Sequence, residues 1–442
     1  MIAFLSLFLG LVTGPQVVSV AVEGPVAAVE IVLDGRRVTR IAGAPWVSEV
    51  DFGSDLAPHE LVARALDTRG EEIARARQWL NLPRPPAEAE IVLERNAEGR
   101  AVAARLSWSC VAVKRPIAST VTFDGKPLPL DNLNRIPIPL YDPETTHVLS
   151  ADLKFTSVVT ARTDMVLGAL AFGEVRTELT AVPVRMEKGE KLPLPEGLAG
   201  WFVKGEEALS VRAVEEGGAR VLLVRDLGTG EATEKLGSGS VGTTFLRRFR
   251  DISVKVPDAL RFDMTLRKKD RLRIVWPVSQ LSVGAGLRAN LFDVSRELRP
   301  EEGGMHWLLT GFLHPIGDHG LKRFADAVAV AGLEATGAYT RRAVVLVLGG
   351  GAKDGSKYEP AAVRQYLARI NVPLYVWSLA GDSPASSAWK EAEDISSLDK
   401  LRKAFARFRK ELNAQRIVWI EGRHLPQEIA LSEKAKGIEI VR

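Results

Sequence analysis

Ala343-Val-Val-Leu-Val-Leu348 is apolar at every position, the pattern of a strand buried on both faces in a parallel sheet covered by helices. Tyr358–Ile370 then carries apolar side chains at helical spacing, with Pro360 suited to a first helical turn. Val372-Pro-Leu-Tyr-Val-Trp-Ser378 is a second apolar run. Strand, helix and strand in that order predict a βαβ unit. Ligands of such sheets sit at the carboxyl ends of the strands, where this chain places Gly349-Gly-Gly351.

The same alternation extends upstream and downstream. Arg220–Arg225 reads as an apolar strand ending in Asp226-Leu-Gly-Thr-Gly230, followed by a helix over Glu231–Phe249 that Gly237 and Gly239 weaken. Leu272–Trp276 is the next strand, stopped by Pro277. His319–Leu333 is expected to be helical, with Leu321, Phe324, Ala325 and Val328 along one face, and Ser397–Leu412 to be another helix. Arg416–Ile420 reads as the final strand before an irregular tail. Residues 218–442 are therefore expected to form one doubly wound, Rossmann-like α/β domain.

The first half has a different period. Val29–Leu33 ends in Asp34-Gly35-Arg36, and Ser119–Phe123 ends in Asp124-Gly125-Lys126, each a hairpin-turn signal after an alternating strand. A later strand in each copy opens His-x-Leu-x-Ala, from His59 and from His147. A repeat of roughly ninety residues with short alternating strands predicts tandem all-β sandwiches, over 1–84 and 87–185. Leu82-Pro-Arg-Pro-Pro86 separates them. Residues 186–217, with Leu192-Pro-Leu-Pro, read as a linker that adds a strand to either neighbour. His59 and His147 admit two readings, a ligand pair or strand-edge side chains bonded to a turn backbone.

Composition narrows the classes. At 442 residues several domains are expected. The net charge of +4 comes from 59 basic and 55 acidic residues and is scattered, which argues against a nucleic-acid partner. Arg267–Arg273 is the one tight basic cluster and fits a turn into a strand. Cys110 is the single cysteine, so an intrachain disulfide and a multi-cysteine zinc site are ruled out. Ile2–Val12 matches a signal-peptide core in length and apolarity but lacks preceding basic residues. Residues 1–21 thus read either as a signal segment or as the first strand, and no later stretch is long and apolar enough to span a membrane.

Asp34-Gly35, Pro45-Trp46, His59-x-Leu61-x-Ala63 and Ala65-x-Asp67 resemble bacterial immunoglobulin-like domains of extracellular proteins. Arg341–Leu348 and Ala361–Trp377 resemble a von Willebrand factor type A domain, of the variety that follows immunoglobulin-like modules in bacterial VWFA-related proteins. That resemblance implies a divalent cation held by oxygen ligands above the sheet. Position by position, Asp226 matches the first carboxylate, while Gly228 and Gly230 stand where serines are expected and Thr229 is out of register. Lys322 falls where a threonine is expected and Gly350 where an aspartate is expected. The implied metal site is degenerate. Lys322 then either pairs with Asp226 in place of the metal or is a solvated lysine on a helix face.

Other constellations carry less. Gly350–Lys357 resembles a phosphate loop with its serine and lysine in the wrong order. His306, His314, Asp318 and His319 have the residue types of a zinc site, although Asp318 also suits a helix N-cap. Ser383 in Gly381-Asp-Ser-Pro-Ala385 is the nearest approach to a nucleophile elbow, and Pro384 obstructs it. Glu391 and Glu393 lie in an acidic, solvated stretch. The resulting expectation is a non-enzymatic protein-binding scaffold or adhesion protein without cofactor, secreted, periplasmic or in the cell envelope. Its binding face would comprise Asp226, Thr229, Lys322, Lys353 and Asp354. A metal-dependent hydrolase using the histidine loop and a cation-dependent adhesion domain are the alternatives.

Overall fold

The computed structural model describes residues 2–6, 8, 10–83, 87–96, 100–110, 113, 115–143, 145, 147–155, 160–167, 179–187, 192–226, 264–279, 292–298, 322–337, 340–349 and 353–442. The chain divides into two compact units: Met1–Pro83 with Thr180–Ile420 and His424–Arg442, and Arg84–Leu179 with Glu421–Arg423.

The first unit begins with an antiparallel sandwich. Strands β1 (Ile2–Phe4), β2 (Pro15–Val22) and β5 (Val47–Asp51) form one sheet, in the order β1-β2-β5. Strands β3 (Ala28–Leu33), β4 (Arg36–Ile41), β6 (His59–Leu66) and β7 (Glu72–Leu80) form the other, in the order β4-β3-β6-β7. Alternate residues Val29, Ile31, Leu61, Ala63 and Ala65 meet Val18, Val20 and Val50 in the core, as the two-residue period of a strand requires. The N-terminal stretch enters this fold as a strand, with Ile2 opposite Val22 and buried in the same core.

The second unit repeats that topology strand for strand. Strands β8 (Ala87–Arg95), β9 (Ala101–Cys110) and β12 (Arg135–Pro137) form the three-stranded sheet. Strands β10 (Ala118–Phe123), β11 (Lys126–Leu128), β13 (His147–Lys154) and β14 (Thr160–Leu167) form the four-stranded sheet, in the order β11-β10-β13-β14. Leu33 pairs with Arg36 and Phe123 with Lys126, so both hairpins close through the Asp-Gly pairs. Asp34 and Asp124 both have φ 50°, with Gly35 at 77° and Gly125 at 75°. Positive φ at both central positions is the type I′ turn that matches strand twist.

The stretch read as a linker is instead half of a small β domain. Strands β15 (Leu179–Met186), β16 (Phe202–Lys204), β17 (Glu207–Leu209) and β18 (Val211–Glu215) combine with C-terminal strands β25 (Arg416–Glu421), β26 (Ile429–Leu431) and β27 (Ile438–Ile440). They form sheets ordered β18-β25-β15-β27 and β17-β16-β26. Val182, Val184, Phe202, Val418, Ile420 and Ile429 make its core. This corrects three expectations: Leu179–Met186 leaves the second sandwich, 186–217 is not a linker, and Arg416–Ile420 is not a strand of the α/β sheet. The tail is also partly regular. Partners more than two hundred residues apart leave no local trace of their pairing.

Between these halves lies the parallel sheet. Its strands are β19 (Ala219–Arg225), β20 (Arg271–Ser279), β21 (Phe292–Val294), β22 (Arg341–Leu348), β23 (Leu374–Ser378) and β24 (Glu393–Asp394), in the order β21-β20-β19-β22-β23-β24. All neighbouring pairs are parallel except β20 with β21. Among the described residues, its helices are α1 (Phe324–Thr336), α2 (Pro360–Arg369), α3 (Pro384–Trp389) and α4 (Leu398–Ala414). Val344, Leu346 and Leu348 pack on α1 and α2, while Ala343, Val345 and Val347 pack towards Phe405, Phe408 and Leu412 of α4. The unbroken apolar run of β22 follows from burial on both faces.

Pro277 does not stop β20. Pairing with β19 ends at Val275, and the register with β21 shifts between Val275 and Ser279, so the missing N–H breaks no regular ladder. Helix α1 begins at Phe324, with Lys322 and Arg323 outside it. The helix expected over Glu231–Phe249 lies outside the described residues.

The first sandwich docks on α2. Asn81, at φ 55°, accepts from Val12 N at 2.7 Å and donates to Val12 O and Ala57 O at 2.9 and 2.6 Å. The fully buried Tyr366 of α2 donates to Asn81 O at 2.8 Å. Leu56 is buried in the same core as α1 and α2.

Candidate functional site

The strand order fixes where a ligand site belongs. The chain passes from β19 outward to β20 and later returns to β22 on the other side of β19. The crevice between the carboxyl ends of β19 and β22 is therefore the point where strand order reverses. Asp226 follows β19 there and Gly349 follows β22. Asp226 N donates to Val347 O at 2.9 Å, which extends the ladder by one residue and pins the aspartate backbone.

The Asp226 carboxylate is buried, with 2% of its side chain exposed. Its Oδ1 accepts from Lys322 Nζ at 3.0 Å, and its Oδ2 accepts from Gly349 N at 3.1 Å. Lys322 is thus not a solvated lysine on a helix face. Its segment is held by Arg323 N donating to Pro277 O at 2.7 Å and Gly355 N donating to Lys322 O at 2.8 Å. Beside the pair, burial pushes the Arg225 guanidinium down to about 10.

The loop after β22 is bound to α1 by two reciprocal carboxylates. Asp354 accepts from Phe324 N at 2.9 Å and Ala325 N at 3.1 Å, and Ser356 Oγ accepts from Asp326 N at 3.1 Å. These groups do the work of an N-cap from thirty residues away, where Arg323 has no capping side chain. In return Asp326 accepts from Lys357 N and Tyr358 N at 3.1 Å and from Arg323 Nη2 at 2.6 Å.

Magnesium demands about six oxygen ligands in octahedral array. Here both oxygens of Asp226 are engaged by donors, one of them a cation. Among the described residues, Asp226 is the one carboxylate of this crevice and it has no oxygen free of a donor. The N-terminus of α1 likewise has its first amides satisfied by Asp354 and Ser356, which leaves them unavailable to a phosphate.

Of the expected binding face, Asp226, Lys322 and Asp354 come together at this edge, with Asp354 acting as a cap. Lys353 is exposed next to it. Thr229, Gly228, Gly230 and Gly350, and the whole His306, His314, Asp318 and His319 loop, lie outside the described residues. Asp326 and Ser356 went unnoticed in the sequence; an acid in a first helical turn and an Asp-x-Ser turn were the available signals. Among the described residues, no group of three or more His, Cys, Asp or Glu could hold a metal ion.

The remaining candidates resolve into structural roles. Ser383 caps α3, accepting from Ser386 N at 3.2 Å in a reciprocal capping box. Glu391 is exposed, whereas Glu393 pairs with Arg407 at 2.5 Å and burial pushes its carboxyl up. His59 and His147 bond through Nδ1 to Asp34 and Asp124, both at 2.7 Å. The contact is to the turn's side chain; Asp34 N and Asp124 N donate to Glu60 O and Val148 O, and the two carboxylates accept in return from Glu60 N and Val148 N. Cys110 is half-buried against the second sandwich core.

No protein-family model matches the chain, and no curated protein matches it. Among solved structures it is similar to fibronectin(III)-like modules of Clostridium thermocellum CbhA, at 15% identity over 18% of this chain and 93% of that one, with a TM-score of 0.17. It is similar to the central fibronectin-III array of RIM-binding protein, at 11% identity over 44% and 80% of the two chains, TM-score 0.23. Proximal thread matrix protein 1 from the mussel byssus matches at 13% identity over 47% and 48%, TM-score 0.25. These likenesses are too distant to argue from, and the sandwich class rests on the strand order above. No helix among the described residues is long and apolar enough to cross a membrane.

Proposed function

We propose that this chain is a non-catalytic, protein-binding scaffold of adhesion type, at the cell envelope or exterior, whose von Willebrand factor type A-like domain works without a bound cation. The observation that carries the reading is the Lys322–Asp226 pair at the carboxyl edge of the sheet. An ammonium takes the place that a cation would need, so the Asp226 charge is balanced without metal. The use of Ser383 and Asp354 as helix caps, and of Asp326 to hold the loop amides of Lys357 and Tyr358, supports a non-catalytic role. Tandem immunoglobulin-like modules support a binding role, because such sandwiches present loops and sheet faces on a rigid frame.

The test is a thermal melt of the purified protein with EDTA, magnesium, manganese or zinc, paired with metal analysis. The expected result is a flat response and no stoichiometric metal. A rise of several degrees with magnesium, by mass action on the native state, would overturn cation independence. Stoichiometric zinc would instead restore the loop of His306, His314, Asp318 and His319 as a metal centre.

A further inference from the structure

We propose that the outer face of the four-stranded sheet of the first sandwich binds an extended acidic polypeptide segment through Arg37, Arg64, Arg75 and Arg77. Side chains alternate across a strand, and the register puts these residues on one face. Val32 pairs with Arg37 and with Val62, Val62 with Arg77, and Arg64 with Arg75. Together with Gly35 and Glu60 they line a trough of about 330 Å³ with Val32 and Val62 among its lining.

The trough carries a cationic excess held in fixed geometry. Its four arginines face three carboxylates, and only Glu60 of those is in the lining. Glu30 accepts from Arg37 Nη1 at 3.0 Å and Glu60 lies 2.9 Å from Arg77 Nε. Glu72 accepts from Arg64 Nε at 2.5 Å and from Arg75 Nε and Nη2 at 2.7 and 3.0 Å. Arg64 also lies 3.6 Å from Glu30 through Nη1, whereas among the described residues Arg37 is held through Nη1 and Arg77 through Nε, with their other N–H donors unengaged. Their side chains remain 62% and 32% exposed. Preorganised guanidinium forks favour bidentate carboxylate capture because less rotamer freedom is lost on binding.

Spacing selects an extended chain. Arg75 and Arg77 lie two residues apart on β7, about 6.8 Å along the strand. Alternate side chains of an extended peptide have the same repeat, so acidic residues at every second position meet both arginines. Nucleic acid is disfavoured because the lining residues include no aromatic side chain for base stacking. The site stands apart from the Asp226 crevice, so its failure would leave the cation-independent scaffold reading untouched.

The experiment measures fluorescence anisotropy of labelled octaglutamate with the full chain, at low and at physiological ionic strength, with oligothymidylate of equal charge as competitor. Saturable peptide binding that weakens with salt is expected. The Arg75→Gln/Arg77→Gln variant should bind about tenfold more weakly. Glu60→Gln, which releases Arg77, should bind about threefold more tightly, a gain that misfolding cannot imitate. Absence of peptide binding at low ionic strength, wild-type affinity in the double variant, or no gain with Glu60→Gln would overturn the proposal, as would tighter binding of oligothymidylate at the same arginines.

Discussion

His147 Nδ1 lies 2.7 Å from Asp124 Oδ2, and His59 repeats the contact with Asp34 at the same distance in the other sandwich. Each aspartate occupies the first central position of a type I′ turn, and its second oxygen accepts the backbone N–H next to the histidine, Val148 or Glu60. One side chain thus ties the hairpin tip to a neighbouring strand. An ionised carboxylate only accepts, so Nδ1 carries the proton.

A pH dependence follows for the second sandwich. The hydrogen bond to Asp124 raises the His147 imidazole above its ordinary value, with a further push from Asp142 O, and the bond to His147 lowers Asp124. A raised imidazole contributes stability that is complete below about pH 6.5 and is lost as pH rises through its folded value. The lowered carboxylate contributes above about pH 4 and loses its share as pH falls further. Histidine-resolved NMR titration should place His147 above ordinary histidine, and Asp124→Asn should bring it down. An unchanged titration in that variant would refute the link.

The ion pair of Arg341 and Asp270 has both side chains fully buried, at 3.0 Å. Asp270 also accepts from Ala219 N, and Arg341 donates to Gly217 O and Leu412 O. Removing one partner strands a buried charge. Asp270→Ala should cost about 3–5 kcal/mol in urea unfolding, and Arg341→Leu a similar amount. The double variant should lose clearly less than the sum; additive losses would contradict the coupling.

Tyr366→Phe keeps the ring and removes only the donor to Asn81 O. Because that carbonyl is buried, the loss should be about 1–2 kcal/mol, with faster amide exchange around Val12 and Ala57. Asn81→Gly retains the backbone conformation but loses three side-chain bonds, and should cost more than Tyr366→Phe. The opposite ranking would mean that Asn81 matters only for its turn geometry.

Asp354→Ala removes the cap of α1 from across the sheet edge. The expected cost is about 1 kcal/mol, with exchange protection lost first at Phe324 and Ala325. Asp354→Asn, which keeps an acceptor, should retain most of it. Equal losses in both variants would show that charge rather than hydrogen bonding holds the loop.

Local pattern by itself determined several elements of this chain: the unbroken run of β22, the helical spacing of α2, the Asp-Gly hairpins of Asp34 and Asp124, and the duplication of the sandwiches. Those features depend on side-chain period and turn chemistry, which act over a few residues. The tertiary structure alone decided that β25 leaves the parallel sheet for β18, that Pro277 is tolerated inside β20, that Asp354 caps a helix thirty residues away, and that Lys322 closes on Asp226. Each of these is settled by which distant groups must satisfy a buried strand edge, amide or charge, and residue spacing carries no record of that.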